Sequence, residues 1–306
     1  MRAVVARRFG DPDVLEMAEI PLPQPAEDEV LVRVAFAGAG DWDLAYRRGE
    51  RGGTVPYVPG AEFSGTVVGD TGDAASFQDG EPVYGHCGLT GAYAEYVRCP
   101  AEALAPLPAA MSLADAAAAP YPVLAAIDGL SEILQVQRLD RVLVTAGASG
   151  LGHVAVQFAR LLGAEVVATA RTRDHEFVHR CGAVEVVDHD DPEWPERVAE
   201  LPRGLPLKVL VCSNETIAAA ARACAAGGMI ATPVGASHPE GGDVKWRPYD
   251  VRPSGSELIR MGPRFDDGSL AVQVEKRFDW RDAADAHRYL EEQPTRGTLV
   301  LEIADA

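Results

Sequence analysis

The first 118 residues alternate apolar and polar positions in short runs that Gly, Pro and Asp interrupt. Examples are "AVVARRFG", "EVLVRVAFAGAG" and "GAYAEYVRCP". Alternation with a period of two is typical of strands that bury one face, and closely spaced turn residues indicate that the strands are short. We therefore predict a β-rich unit over residues 1–118.

The pattern changes over residues 119–262, where alanine-rich helical segments alternate with short apolar runs such as "VLVT", "EVVATA" and "KVLV". This rhythm of strand, helix and strand predicts a doubly wound parallel sheet. Residues 263–306 return to strand, helix and strand, and their β-branched last run can complete the first unit. We therefore expect an α/β protein in which the parallel-sheet domain is inserted into the β-rich domain.

Composition narrows the class of protein. A length of 306 residues suits two domains of about 100–200 residues each. The net charge of −18 argues against nucleic acid and anionic membranes as partners. No apolar run approaches the roughly 20 residues of a membrane span, and the five cysteines form no C-x-x-C pair. We expect a cytoplasmic protein with reduced thiols.

One stretch, "VLVTAGASGLGHVA", leads from a predicted strand through small residues into a predicted helix. Such a turn exposes unpaired N–H groups at the positive end of the helix dipole, which is a common site for a pyrophosphate. The alternative is a tight turn that needs glycine only for packing. The candidate ligands are the turn residues Ala148, Ser149, Gly150 and Leu151.

Five segments in order resemble the signatures of the medium-chain dehydrogenase/reductases, and within them the zinc-free quinone oxidoreductase (zeta-crystallin-like) branch. They are "VPGAEFSGTVVG", "GAYAEYV", "LPAAMSLADAAAAP", "DRVLVTAGASGLGHVAVQFARLLGAEVVATA" and "AADAHRYLEEQPTRGTLVL". The resemblance implies a GroES-like catalytic domain built from both ends of the chain, a Rossmann domain between them, and a nicotinamide cofactor in the cleft. It also implies a homodimer, although the segment "SELIRMGPRFDDG" is short where relatives have a longer helix.

The end of the second predicted strand of the parallel sheet, "EVVATARTRDH", bears on the choice of dinucleotide. An Asp or Glu there favours NAD, whereas this chain has Arg171, Thr172 and Arg173, with His175 close behind. Two guanidinium groups suit the 2′-phosphate of NADPH, which is the predicted cofactor. The alternative is that both arginines are solvated residues at a helix start, with Asp174 as the helix cap.

The zinc-dependent relatives have a Cys at the position of Gly40 and a His at that of Ala61, within a G-H-E motif that reads "GAE" here. Without a Lewis acid, oxidation of an ordinary alcohol is difficult near neutral pH. A quinone or an α,β-unsaturated carbonyl accepts hydride more readily, because conjugation spreads the negative charge. These acceptors are the predicted small-molecule substrates, and a zinc alcohol dehydrogenase with altered ligands is an alternative.

The catalytic positions of the branch depart from its pattern. An N-P-V-[DE]-x-Y-x-R segment aligns with "GDWDLAYR", so Asp43 and Arg47 match while Tyr46 falls one residue late. The resemblance implies that Tyr46 or a water supplies a proton and that Arg47 holds an acceptor oxygen. The alternatives are a packing aromatic for Tyr46, a surface charge for Arg47 and a helix cap for Asp43. Tyr121 is the fourth candidate in the acceptor site.

The remaining candidate cofactor contacts follow the later predicted strands of the parallel sheet. They are Ser213, Asn214, Val234 and Gly235. Cys212 stands where the branch has an Asp and is interpreted as a core thiol. Because the departures gather at the hydride end, a redox-neutral or non-catalytic protein on a recruited reductase scaffold is a further alternative.

Overall fold

A computed structural model describes residues 1–69, 77–204, 206–233 and 243–303. The strands in chain order are β1 (Arg2–Ala6), β2 (Leu15–Glu19), β3 (Glu29–Ala39), β4 (Glu62–Val67), β5 (Pro82–His86), β6 (Tyr96–Pro100), β7 (Leu104–Pro106), β8 (Arg141–Val144), β9 (Glu165–Ala170), β10 (Glu185–Asp188), β11 (Lys208–Leu210), β12 (Met229–Pro233), β13 (Lys245–Tyr249), β14 (Val274–Asp279) and β15 (Thr298–Glu302). The α-helices are α1 (Asp41–Arg47), α2 (Leu113–Ala117), α3 (Pro120–Ile127), α4 (Gly150–Leu161), α5 (His175–Cys181), α6 (Trp194–Glu200), α7 (Ile217–Arg222), α8 (Gly255–Asp266) and α9 (Ala283–Glu292).

The chain forms two units, of which the first combines Met1–Leu124 with Arg252–Ala306 and the second is Ala125–Val251. Helix α8 belongs to the first unit, whereas the sequence places it at the end of the nucleotide-binding domain. Its apolar face explains this position. Leu258 is fully buried, its carbonyl accepts a hydrogen bond from the Tyr84 hydroxyl at 3.1 Å, and Gly255 packs directly against the Leu104 carbonyl of β7.

The first unit is built on a seven-stranded sheet in the order β14, β15, β3, β4, β5 and β7, with β6 paired to β3. All neighbours are antiparallel except β14 and β15, and β1 with β2 forms a separate hairpin. In β3 a register shift between Val34 and Phe36 breaks the alternation, so the strand buries every residue from Val34 to Ala39. Glycine at position 38 of this strand leaves room for the Glu62 side chain.

The second unit is a six-stranded parallel sheet in the order β10, β9, β8, β11, β12 and β13. Its inner strands are apolar at nearly every position, as expected where helices cover both faces. The strand order reverses between β8 and β11, which is where such sheets bind ligands. The predicted mixed α/β architecture is confirmed, and no helix within the described part of the chain could cross a membrane.

Candidate active site

The turn between β8 and α4 is held against the end of β9 by hydrogen bonds from two of its backbone N–H groups. The Ala146 N–H donates to Thr169 Oγ1 at 3.0 Å and the Gly147 N–H to the Thr169 carbonyl at 2.6 Å. A Cβ at Gly147 would touch Ala168 at 3.0 Å, and a Cβ at Gly152 would overlap the Ala146 carbonyl. Packing therefore requires glycine at both positions, and binding of a pyrophosphate at this turn stays a prediction.

Helix α4 begins at this turn with the features of an anion site. It is 12 residues long, and no acidic residue lies in its first turn. The N-cap Ser149 accepts from the Gly152 N–H at 3.1 Å, which leaves the preceding N–H groups of the first turn to bind a ligand. Ser149 and Gly150 are partly exposed, while Ala148 and Leu151 are buried. This donor set fits a pyrophosphate.

The loop after β9 presents the two predicted phosphate-binding arginines at the surface. The Arg171 side chain is 32% exposed and its Nε lies 3.3 Å from Asp190 Oδ1, while that of Arg173 is 59% exposed and its Nε lies 3.5 Å from Asp174 Oδ2. Asp174 occupies the N-cap position of α5, but its carboxylate makes no capping hydrogen bond within the described residues. Arg171 precedes and Arg173 lies within a short 3-10 helix, Thr172–Asp174, that leads into α5, and both side chains remain partly accessible.

Two further residues of this loop are held by local hydrogen bonds. The Thr172 hydroxyl donates to Asp188, the last residue of β10. His175 Nε2 lies 3.1 Å from the carbonyl oxygen of Ala170 at the end of β9. The loop is therefore fastened to the carboxyl ends of both strands.

The point of strand reversal is tied together by Thr145. Its N–H donates to the Leu210 carbonyl at 3.0 Å, and its Oγ1 accepts from the Cys212 N–H at 3.0 Å and from the Thr216 hydroxyl at 2.8 Å. Burial raises the pKa of the Cys212 thiol and so keeps it neutral, which agrees with its interpretation as a core thiol. Ser213 is partly exposed and Asn214 exposed, whereas Val234 and Gly235 lie outside the described residues.

In the first unit, α1 carries Asp43 as both a helix cap and a buried carboxyl group. Asp43 Oδ2 accepts from the Gly40 N–H at 3.0 Å, as the capping alternative proposed. The side chain is nonetheless buried, and this burial raises its pKa to about 7 against backbone hydrogen bonds from Gly40 and Gly60 that lower it. A carboxyl group with such a pKa can give or take a proton near neutral pH.

Tyr46 and Arg47 are both buried in the first unit. The Tyr46 ring packs on Tyr57 at a centroid distance of 4.7 Å, consistent with a packing aromatic. Arg47 is only 1% exposed, so the interpretation as a surface charge is wrong. Its Nε donates to the Gly10 carbonyl at 3.0 Å, its Nη1 lies 3.3 Å from His287 Nδ1, and its Nη2 donates to Glu291. The guanidinium group thus joins α1 to α9, and its role toward an acceptor stays a prediction.

Tyr121 stands among aromatic and carboxyl groups of the first unit. Its N–H donates to Glu62 Oε2 at 2.8 Å, and its ring is stacked on His86 at 6.1 Å and lies 6.2 Å from Trp42. Arg51 covers the Trp42 ring at 3.8 Å. The Tyr121 ring is partly exposed, so it can contact a ligand.

The sequence reasoning missed Glu62 and His86. Burial, together with the neighbouring Asp43, raises the pKa of Glu62 to about 8, whereas burial lowers the pKa of His86 to about 4. Glu62 could have been found, because it is the acidic residue of the "GAE" motif. Its burial depends on Gly38 across the sheet, which the local pattern does not reveal.

The positions of the family's zinc ligands lie in this unit as well. A Cβ at Gly40 would have no heavy atom within 4 Å, and Ala61 is buried. In the part of the chain that the structure describes, no group of three or more His, Cys, Asp or Glu side chains could hold a metal ion.

Two family models match the chain, one in each unit. Residues 26–109 match the alcohol dehydrogenase GroES-like domain, and residues 150–255 match the zinc-binding dehydrogenase domain. A crystal structure described as an NAD-dependent alcohol dehydrogenase is 32% identical over 99% of this chain and 100% of its own, with a TM-score of 0.89. A mycobacterial protein complexed with NADPH is 28% identical over the same shares, also at 0.89. The chain belongs to the medium-chain dehydrogenase/reductase superfamily.

Curated relatives give its place within this superfamily. The quinone oxidoreductase of Pongo abelii is 30% identical over 65% of this chain and 61% of the relative, so the match spans less than two thirds of that protein. The quinone oxidoreductase of Homo sapiens is 27% identical over 92% and 87%. The chloroplastic NADPH-dependent alkenal/one oxidoreductase of Arabidopsis thaliana is 28% identical over 98% and 79%. The protein is thus an enzyme of the medium-chain superfamily that is similar to quinone oxidoreductases.

Proposed function

We propose that this protein is an NADPH-dependent oxidoreductase that transfers hydride to a quinone or an α,β-unsaturated carbonyl without zinc. The observation that carries the proposal is the loop after β9, where two partly exposed arginines stand in place of the acidic residue that favours NAD. A mycobacterial protein solved with NADPH and an NADPH-dependent alkenal/one oxidoreductase are relatives that support it. The relative described as NAD-dependent makes the choice of cofactor the first point to test.

The second unit binds the cofactor in this proposal. The turn from Ala148 to Leu151 holds the pyrophosphate, with the N–H groups of Gly150 and Leu151 at the start of α4 as donors. Arg171 and Arg173 hold the 2′-phosphate with Thr172 and His175 beside them. The residues that follow β11 and β12 contact the ribose and the carboxamide, and these are Ser213, Asn214, Val234 and Gly235. NADPH supplies the hydride when it is bound.

The proposed acceptor is a conjugated carbonyl, a choice that the residues at two positions of the family's pattern support. Gly40 and Ala61 stand at the positions of the Cys and His of the zinc-dependent relatives. A quinone or enone spreads the charge of the incoming hydride over a conjugated oxygen. Hydrogen-bond donors are then sufficient to stabilise the product anion.

The proton that completes the reduction comes from the buried carboxyl groups of the first unit. Asp43 and Glu62 have pKa values of about 7 and about 8, so both are substantially protonated near neutral pH. One proton is given for each hydride transferred, and the carboxylate that remains on Asp43 or Glu62 is stabilised by the backbone N–H of Gly40 or Tyr121 until it takes up a proton from water. Tyr121 contacts the acceptor through its partly exposed ring, while Tyr46 and Arg47 keep α1 in position.

Binding of the two nicotinamide cofactors tests the proposal before any substrate is known. NADPH should bind more tightly than NADH, and replacing Arg171 and Arg173 together by alanine should weaken NADPH binding at least tenfold, since two charge-assisted contacts are lost. Arg222→Ala is the control, because this exposed arginine of the second unit pairs with Glu196 away from the loop. A preference for NADH that both variants retain would contradict the assignment of NADPH.

A panel of quinones and enones then tests the reaction. Oxidation of NADPH that depends on the acceptor, in protein purified without chelator and free of zinc by metal analysis, is the expected result. Failure of the protein to bind either cofactor would instead favour a redox-neutral role, which Gly40 in place of the family's Asn and the one-residue displacement of Tyr46 also suggest.

Assembly and location complete the proposal. We expect a cytoplasmic homodimer, as the resemblance to the family implies. Sedimentation equilibrium of the purified protein measures the mass directly, and a value of one chain of 32.5 kDa would contradict the dimer.

A further inference from the structure

An acidic segment faces the proposed phosphate-binding loop. The parallel strands β9 and β10 end side by side, with Asp188 opposite Ala170, and Asp190 follows two residues later. Asp190 Oδ1 contacts Arg171 Nε at 3.3 Å, while Asp188 accepts from the Thr172 hydroxyl and, at 3.0 Å, from the Asp190 N–H. The two carboxylates therefore have different functions, since Asp188 holds the loop through Thr172 and Asp190 forms an ion pair with Arg171.

The charges of this region do not favour a phosphate as they stand. The guanidinium groups of Arg171 and Arg173 contact the carboxylates of Asp190 and Asp174, and a third carboxylate, that of Asp188, accepts from Thr172 between the two arginines in sequence. A dianionic 2′-phosphate thus has to compete with carboxylates already in place. Because carboxylates outnumber guanidinium groups in this segment, its affinity for NADPH is lower than that of a loop with the same arginines and fewer acidic residues.

The contact between Arg171 and Asp190 is of a kind that a phosphate can replace. Its length of 3.3 Å exceeds the roughly 2.7–2.9 Å of a good charge-assisted hydrogen bond. The side chains are 32% and 58% exposed, so either can turn toward solvent. A phosphate offers more charge and a bidentate geometry to the same guanidinium group.

We propose that Asp190 is a specificity-determining residue that competes with the 2′-phosphate of the cofactor for Arg171 and so reduces the preference for NADPH over NADH. This inference rests on the proposed function, because it requires Arg171 to bind that phosphate. NADH has no group to displace Asp190, and its binding leaves the pair intact. Asp190 thereby sets how far the enzyme discriminates between the two cofactors.

Asp190→Asn tests the inference, because it removes the negative charge but keeps the shape of the side chain. It also keeps the backbone N–H that donates a hydrogen bond to Asp188. The probes are NADPH, NADH and the fragments 2′,5′-ADP and 5′-ADP, measured by calorimetry. We expect the affinity for NADPH and 2′,5′-ADP to rise about threefold to tenfold and that for NADH and 5′-ADP to stay constant. The gain should shrink at high salt, since both groups are partly exposed.

Two controls separate the possible outcomes. Glu196→Gln removes the same charge from an exposed pair elsewhere on the second unit and should change neither affinity. In an Arg171→Ala background, Asp190→Asn should have no more than a small effect. A wild-type protein that binds NADPH through Arg171, together with an Asp190→Asn variant that binds it equally or more weakly, would overturn the inference and leave the proposed function standing. A wild-type protein that binds neither NADPH nor NADH would overturn both the inference and the proposed function.

Discussion

Replacing Arg47 by methionine should destabilise the first unit, whereas the same change at Arg48 should have little effect. Both arginines donate to Glu291 Oε1. They differ in environment, because the Arg47 side chain is 1% exposed and the Arg48 side chain 43% exposed. Comparing the two variants therefore measures the effect of burial on stability, because both arginines share the partner Glu291.

The magnitude follows from the groups that lose their donor. The Gly10 carbonyl and His287 Nδ1 would each lose a buried hydrogen bond, at a cost of about 1–3 kcal/mol apiece. His287 still favours its neutral form in the variant, since burial is the main cause of its lowered pKa and Arg48 remains nearby. Glu291 is 22% exposed and retains Arg48, so its contribution is small. We expect a loss of about 2–5 kcal/mol for Arg47→Met and under about 1 kcal/mol for Arg48→Met.

Thermal unfolding followed by circular dichroism measures the difference. For a unit of this size the larger loss corresponds to a fall in Tm of about 5–15 °C, and the smaller one to a few degrees at most. NADPH binding, which belongs to the second unit in our proposal, should be retained by both folded variants. An Arg47→Met protein with the Tm of the wild type and no turnover would refute this reasoning and favour a role for Arg47 in holding the acceptor.

The sequence predicts the architecture well because local patterns determine it. Alternation of apolar and polar residues marks the strands of the first unit, and continuous apolar runs such as "RVLV" mark those of the parallel sheet. Helix α8 is the exception. Its amphipathic pattern indicates a helix, but only the contacts of Leu258 and Gly255 with β5 and β7 show which unit it joins.

The candidate site is less predictable, because its chemistry depends on residues far apart in sequence. Arg47 and His287 are 240 positions apart, and no local pattern indicates that one accepts a hydrogen bond from the other. The same holds for Glu62, whose carboxylate accepts from Tyr121, 59 residues later. In contrast, the segment from Arg171 to His175 directly follows β9, the second strand of the parallel sheet. In the dinucleotide-binding fold the residues at this position face the adenosine ribose, so the segment can be recognised from the sequence alone.

Two further predictions concern the turn and the buried acids. Gly152→Ala should weaken NADPH binding more than tenfold, because its Cβ would overlap the Ala146 carbonyl; Gly262→Ala, in an open position of α8, should leave binding intact. The second prediction is that the contribution of Asp43 and Glu62 to the free energy of unfolding falls as pH rises from about 4 to about 8, while buried histidines with lowered pKa values, His86, His153 and His287, contribute in the opposite direction below about pH 6.5. Asp43 and Glu62 have folded pKa values raised to about 7 and about 8 from 3.8 and 4.5, so the folded state binds more protons across this range. The stabilisation is complete below the unfolded pKa values and lost as pH passes the folded ones. Asp43→Asn keeps a carbonyl that can accept from the Gly40 N–H, and urea titrations should show that the free energy of unfolding of the variant, relative to that of the wild type, rises with pH across this range. A difference that does not change with pH would mean that Asp43 is already ionised at low pH.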